Sequence, residues 1–209
     1  MINCRLWGVC GPMYVRLFMD LDELKECIDS AIYTCQEMIC KNPNIVLSEG
    51  DLEKLLCNCI SKVLNYNPIK PDDIFSVHTQ ISHYMDGKKH SDMRVDILLL
   101  QECKLRNCKK AKGYKYFDDS FALELKYLHE KDDIKKVRCD FCKRNDLDSN
   151  SWLYVVVLLD FTEDKIEQFE EKKRQIEQYA NELYEMKAGY EKNLFFQVLR
   201  KQLSTNKNQ

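Results

Sequence analysis

The chain lacks most of the features that announce a function. It has no run of about 18 apolar residues, so a membrane span is not expected. Acidic and basic side chains nearly cancel, leaving a net charge of −2 over 209 residues. Global electrostatics therefore gives no sign of a nucleic-acid binder, and any basic surface must be local. There is no Gly-rich phosphate loop, no HExxH and no Cys–His nucleophile arrangement. The four histidines, His78, His83, His90 and His129, are too dispersed for a metal cluster, although His129 follows one apolar strand closely enough to line a cleft. A cleaved leader is not expected either. The apolar start MINCRLWGVCGPMYVRLFM is broken by Arg5, Arg16 and a Gly-Pro, which leaves its uninterrupted core short.

Cysteine is abundant, at 11 residues. A chain this long can bury a core without disulfide staples. Several cysteines fall at helical core spacings, where a thiol behaves as a small hydrophobe. An intracellular, reducing setting is expected, in the cytoplasm or with the nucleoid or nucleus. A structural zinc site is a second option, from Cys139-x-x-Cys142 with Cys103 and Cys108. Against it, the CxxC falls in an amphipathic helix where Cys142 reads as core.

One domain, 1–209, is expected, with an N-terminal helical segment over 1–44. Leu21, Leu24, Ile28, Ala31, Ile32, Cys35 and Ile39 recur at helical spacing, and KNPN ends that helix. Ser48 reads as the cap of a second helix carrying Leu52, Leu55, Leu56, Cys59, Ile60 and Val63. IFSVHTQISHY alternates as a strand with Phe75, Val77 and Ile81 inward; DGKK turns it back into a partner. Gln80, on the opposite face, reads first as a solvated strand residue.

Two apolar runs, RVDILLL and FALELKYL, follow. Alternation puts Asp96 on one face with Leu98, and Glu124 and Lys126 on one face with Ala122. If these strands are neighbours, two carboxylates and a lysine meet in apolar surroundings. That arrangement costs free energy unless something such as a divalent cation holds it. Between the runs, from Gln101 to Tyr116, Lys104, Arg106, Lys109, Lys110, Lys112 and Lys115 face a single acid, Glu102, with Tyr114 and Tyr116 interleaved. This is the one clear basic patch, and lysines on phosphates with tyrosines on bases make it a candidate nucleic-acid contact.

The Asp on one strand and Glu-x-Lys on the next resemble the PD-(D/E)xK nuclease superfamily, whose second and third core strands carry these residues. The resemblance spans roughly 48–160, although MRVD has no proline before its Asp. It implies an α/β fold, restriction-endonuclease-like, with a mixed central sheet flanked by helices. It also implies Mg²⁺ or Mn²⁺ held by Asp96, Glu124 and the main-chain carbonyl of Leu125, with Lys126 at the attacking water. Products would carry a 5′-phosphate and a 3′-hydroxyl. Members often add a glutamate from the preceding helix. Glu49, roughly 50° from the centre of the apolar stripe, fits better than Glu53 at about 90°, and could hold a second metal ion or its water. Some members place a polar residue late in the preceding strand, which makes Gln80 a minor candidate. Nucleic acid, DNA before RNA, is the expected partner. A non-catalytic nucleic-acid- or protein-binding module of the same fold is the alternative.

Beyond Glu-x-Lys, a helix with Ile134, Val137, Phe141 and Cys142 inward and a buried strand, SWLYVVVLLD, are expected. The remainder, 162–204, reads as one or two long helices that Gly189 interrupts. Leu194, Phe195, Phe196, Val198, Leu199 and Leu203 would be buried against the domain, a second copy or a partner protein.

Overall fold

The computed structural model describes residues 21–66, 75–85, 88–101, 120–147, 151–187, 189 and 192–203. The elements are α1 (Leu21–Lys41), α2 (Glu49–Tyr66), β1 (Phe75–Met85), β2 (Lys88–Gln101), β3 (Phe121–His129), α3 (Lys135–Cys142), β4 (Trp152–Thr162), α4 (Ile166–Met186) and β5 (Leu194–Leu203). The strands form one mixed sheet in chain order; β1, β2 and β3 are antiparallel neighbours, and β3, β4 and β5 are parallel. The fold is α/β with a five-stranded mixed sheet.

Each face of the sheet has its own core. Leu24, Ile28, Ile32, Leu52, Leu56 and Ile60 of α1 and α2 pack with Ile97, Leu123, Leu125, Val156 and Leu158. Val137 and Phe141 of α3 and Phe169, Ile176 and Ala180 of α4 pack with Leu98, Ala122, Val155 and Val157 on the other face. The helical spacings of α1 and α2 thus bury the residues expected of them, except Leu21 and Val63, which are partly buried. Ser48 caps α2: the Asp51 N–H donates to its Oγ at 3.2 Å, and the Ser48 hydroxyl donates to the Asp51 carboxylate at 2.9 Å. Cys27, Cys35 and Cys59 are buried in the helical layer, as small hydrophobes would be.

Two expectations are corrected. The C-terminal stretch is not helical throughout: α4 ends at Met186, Gly189 adopts a φ of 95°, and Leu194–Leu203 is β5. The apolar density of LFFQVL belongs to a parallel strand with a core on both faces, which erases the period-two signature. Cys142 is exposed, not core. The buried stripe of α3 uses Val137, Asp140 and Phe141 instead.

Strand β5 is the sheet edge among the described strands, and two helices cap its backbone. Gln36 of α1 donates to the Arg200 carbonyl and accepts from the Arg200 N–H, both at 2.9 Å. Tyr184 of α4 donates to the Leu194 carbonyl at 3.0 Å. Such caps blunt edge-to-edge pairing. No helix among the described residues is long and apolar enough to cross a membrane.

Candidate active site

The site sits where β2 and β3 part. Their ladder pairs Leu99 with Phe121, Leu98 with Ala122 and Ile97 with Leu123, and extends no further toward Asp96 and Glu124. Beyond it, carboxylates take the place of backbone partners. The Leu125 N–H donates to Asp96 Oδ2 at 2.8 Å, and the Tyr127 N–H donates to Glu49 Oε2 at 3.2 Å. In a strand the N–H and C=O of one residue leave from the same edge, so the Leu125 carbonyl opens toward the same gap as Asp96. Asp96 and Glu49 are thus both tied to the same backbone edge of β3.

The expected residues converge there. Asp96 and Glu124 stand on neighbouring strands, and Lys126 Nζ lies 3.4 Å from Glu49 Oε2. Glu49 and Glu53 both contribute, on different flanks: Gln80 Nε2 donates to Glu53 at 2.9 Å and to Asp96 at 3.2 Å. Gln80 is therefore tied to the site, not simply solvated. Its φ of 53° is the one positive value among described non-glycine residues. That left-handed conformation costs about 1–3 kcal/mol and persists where surrounding contacts hold it. Here its two carboxylate partners do so.

Two residues that sequence reasoning missed arrive from α3 and the turn Lys143–Asp146. Asp140, buried to 5% exposure, lies with Oδ2 3.5 Å from Lys126 Nζ and Oδ1 3.4 Å from Lys143 Nζ. Lys143 Nζ in turn reaches Glu124 Oε2 at 2.6 Å. Ammonium and carboxylate alternate along the line Glu49, Lys126, Asp140, Lys143, Glu124. The signal was available: Asp140 follows Val137 by three residues and precedes Phe141, which places an acid on a buried helical stripe.

Electrostatics marks Glu124 as the centre. Only 1% of the residue is exposed, and its Oε1 is buried with no hydrogen-bond partner. Burial, reinforced by the Asp96 charge and resisted by Lys143, pushes its carboxyl up to about 9. Burial also raises Asp140 above the usual carboxylate range. For Lys126 and Lys143 burial opposes the charge, but the surrounding carboxylates outweigh it and both are raised above a free lysine. Both lysines are held as ammonium groups.

Among the described residues no three acidic, Cys or His side chains form a ready-made metal cage. The donor chemistry nevertheless suits a hard cation. Glu49, Glu53, Asp96, Glu124 and Asp140 supply five carboxyl groups against two lysines, and two buried oxygens, Glu124 Oε1 and Asp140 Oδ2, are left without a hydrogen-bond partner. Cys139 and Cys142 are exposed free thiols; Cys103 and Cys108, the other half of the zinc option, lie outside the described residues. So do Lys104, Arg106, Lys109, Lys110, Lys112 and Lys115 of the basic insertion. The chain matches no protein-family model, no curated protein and no solved structure.

Proposed function

We propose that this protein is a metal-dependent nuclease of restriction-endonuclease-like fold, hydrolysing phosphodiester bonds of nucleic acid, DNA before RNA. The observation that carries the reading is the meeting of Asp96, Glu124 and Lys126 at the parted ends of β2 and β3, with Glu124 Oε1 buried and unpartnered. The element order supports it: a glutamate-bearing helix, three antiparallel strands, a helix and a parallel strand. This is the order that the PD-(D/E)xK resemblance implies.

In this reading Asp96, Glu124 Oε1 and the Leu125 carbonyl hold Mg²⁺ or Mn²⁺, for which oxygen donors are suited. The bound ion would polarise a phosphoryl oxygen and make the attacking water more acidic. Lys126, kept charged by Asp140 and Glu49, orients that water and balances charge at the scissile phosphate. Gln80 fixes Asp96 from the β1 side. The basic insertion, which lies between β2 and β3 in the sequence, would supply contacts to the phosphate backbone.

The experiment is cleavage of mixed DNA and RNA with Mg²⁺ or Mn²⁺ by the native chain, Asp96→Ala and Lys126→Ala. Metal-dependent cleavage lost in both variants is expected. Cleavage surviving both would overturn the site assignment. A folded native chain with no cleavage, and no metal binding that depends on Asp96 and Glu124, would favour the binding-module alternative.

A further inference from the structure

We propose that the site takes a single divalent ion, because Lys143 stands as a fixed ammonium where a second ion would bind. The inference rests on the nuclease reading and deepens it. A two-ion site needs carboxylate oxygens on both flanks, with the ions about 3.5–4 Å apart. On the α3 flank those oxygens are Glu124 Oε2 and the Asp140 carboxylate, and lysine ammonium groups already stand beside them. Lys143 Nζ lies 2.6 Å from Glu124 Oε2 and 3.4 Å from Asp140 Oδ1. Lys126 Nζ lies 3.5 Å from Asp140 Oδ2, a buried oxygen that makes no hydrogen bond, and 3.4 Å from Glu49 Oε2. Glu49 is thereby claimed as well, so the helix glutamate has no role as a second-ion ligand. What remains for a divalent ion is the other flank, Asp96 with Glu124 Oε1: both Glu124 Oε1 and Asp140 Oδ2 are buried without a hydrogen-bond partner, but the Asp140 carboxylate has two ammonium groups within 3.5 Å.

Lys143 is anchored where it stands. It leads the turn Lys143–Asp146, whose next residue, Arg144, is 4% exposed. Arg144 donates to Asn193 Oδ1 at 3.1 Å and to the Leu147 carbonyl at 3.3 Å. A dication placed on the same two carboxylates would face this ammonium at contact distance, in surroundings where burial strengthens like-charge repulsion.

The test counts Mn²⁺ bound per chain by calorimetric titration of the full-length protein, Lys143→Met and Lys143→Arg, with circular dichroism to confirm folding. One ion is expected for the native chain and for Lys143→Arg. Lys143→Met should bind two, the second at least about 10-fold more weakly than the first, or about 1.4 kcal/mol. Two ions on the native chain, or one on a folded Lys143→Met, would overturn the inference and leave the metal reading standing. No Mn²⁺ on the native chain would sink the nuclease reading itself, and the inference with it. The native count decides even where a variant fails to fold.

Discussion

Replacing Glu124 by Gln should change stability in a way that depends on pH, and the slope can be worked from the structure. Burial and the Asp96 charge raise the Glu124 carboxyl from 4.5 to about 9. Between those values the folded chain holds a proton that the unfolded chain has released. The group's contribution is therefore fully present below pH 4.5 and is lost as pH rises toward 9. Each pH unit costs about 1.4 kcal/mol, so by pH 7.5 the loss approaches about 4 kcal/mol. Gln cannot titrate and escapes that loss. Its amide oxygen can still accept from Lys143, so a mismatch in that bond is an offset of about 0.5–1.5 kcal/mol, independent of pH over this range. The sign at one pH is thus the balance of two terms, but the slope comes chiefly from Glu124. Asp140, whose carboxyl is also raised and which shares Lys143 with Glu124, is present in both chains and modifies the slope without reversing it. Urea denaturation at pH 5.5, 7 and 8.5 would read it. The stability of Glu124→Gln relative to the native chain should rise steadily, by up to about 1.4 kcal/mol per unit. Parallel stability curves for the two chains would refute the reasoning.

Two further outcomes follow from contacts outside the site. Lys201, 3% exposed, donates to Tyr127 Oη at 2.8 Å and to Asp160 Oδ2 at 3.2 Å, and the Tyr127 hydroxyl donates to the same carboxylate. Lys201→Ala should cost about 2–4 kcal/mol in urea melts, because the mostly buried Asp160 carboxylate would keep only the Tyr127 hydroxyl and His129, at 3.5 Å, beside it; a loss below about 1 kcal/mol would count against it. Gln36→Ala strips both hydrogen bonds from Arg200 on the sheet edge, for a loss of about 1–3 kcal/mol. It should also produce concentration-dependent dimers in size-exclusion chromatography with light scattering, and a monomer of unchanged stability would contradict this.

Much of the site was legible because its first three residues lie on two adjacent strands with a period of two. Alternation alone puts Asp96 beside Leu98 and Glu124 and Lys126 beside Ala122, and the two runs are neighbours in the sheet. Glu49 could be read from its angle to the apolar stripe of α2. Glu53 was ranked second on the same angle, but Gln80 of β1 reaches it. The role of Gln80 depends on a left-handed backbone, which no local pattern of TQIS announces. Asp140 and Lys143 come from an element whose placement over the sheet is a tertiary fact; only the acid on a buried stripe hinted at it. Strand β5 was misread because burial on both faces removes the alternation by which an exposed strand is recognised. Helices α1 and α2 were legible for the opposite reason: each buries one stripe and leaves the other to water.

The central claim, that Lys126 works beside a metal site without being part of it, is tested most directly by separating ion binding from cleavage. Mn²⁺ affinity and cleavage rate would be measured on the same preparations of the native chain, Asp96→Ala and Lys126→Met. Asp96→Ala should lose both. Lys126→Met should keep Mn²⁺ affinity within about threefold, about 0.7 kcal/mol, while cleavage falls by at least about 100-fold. A Lys126→Met chain that cleaves as the native one does would contradict the account.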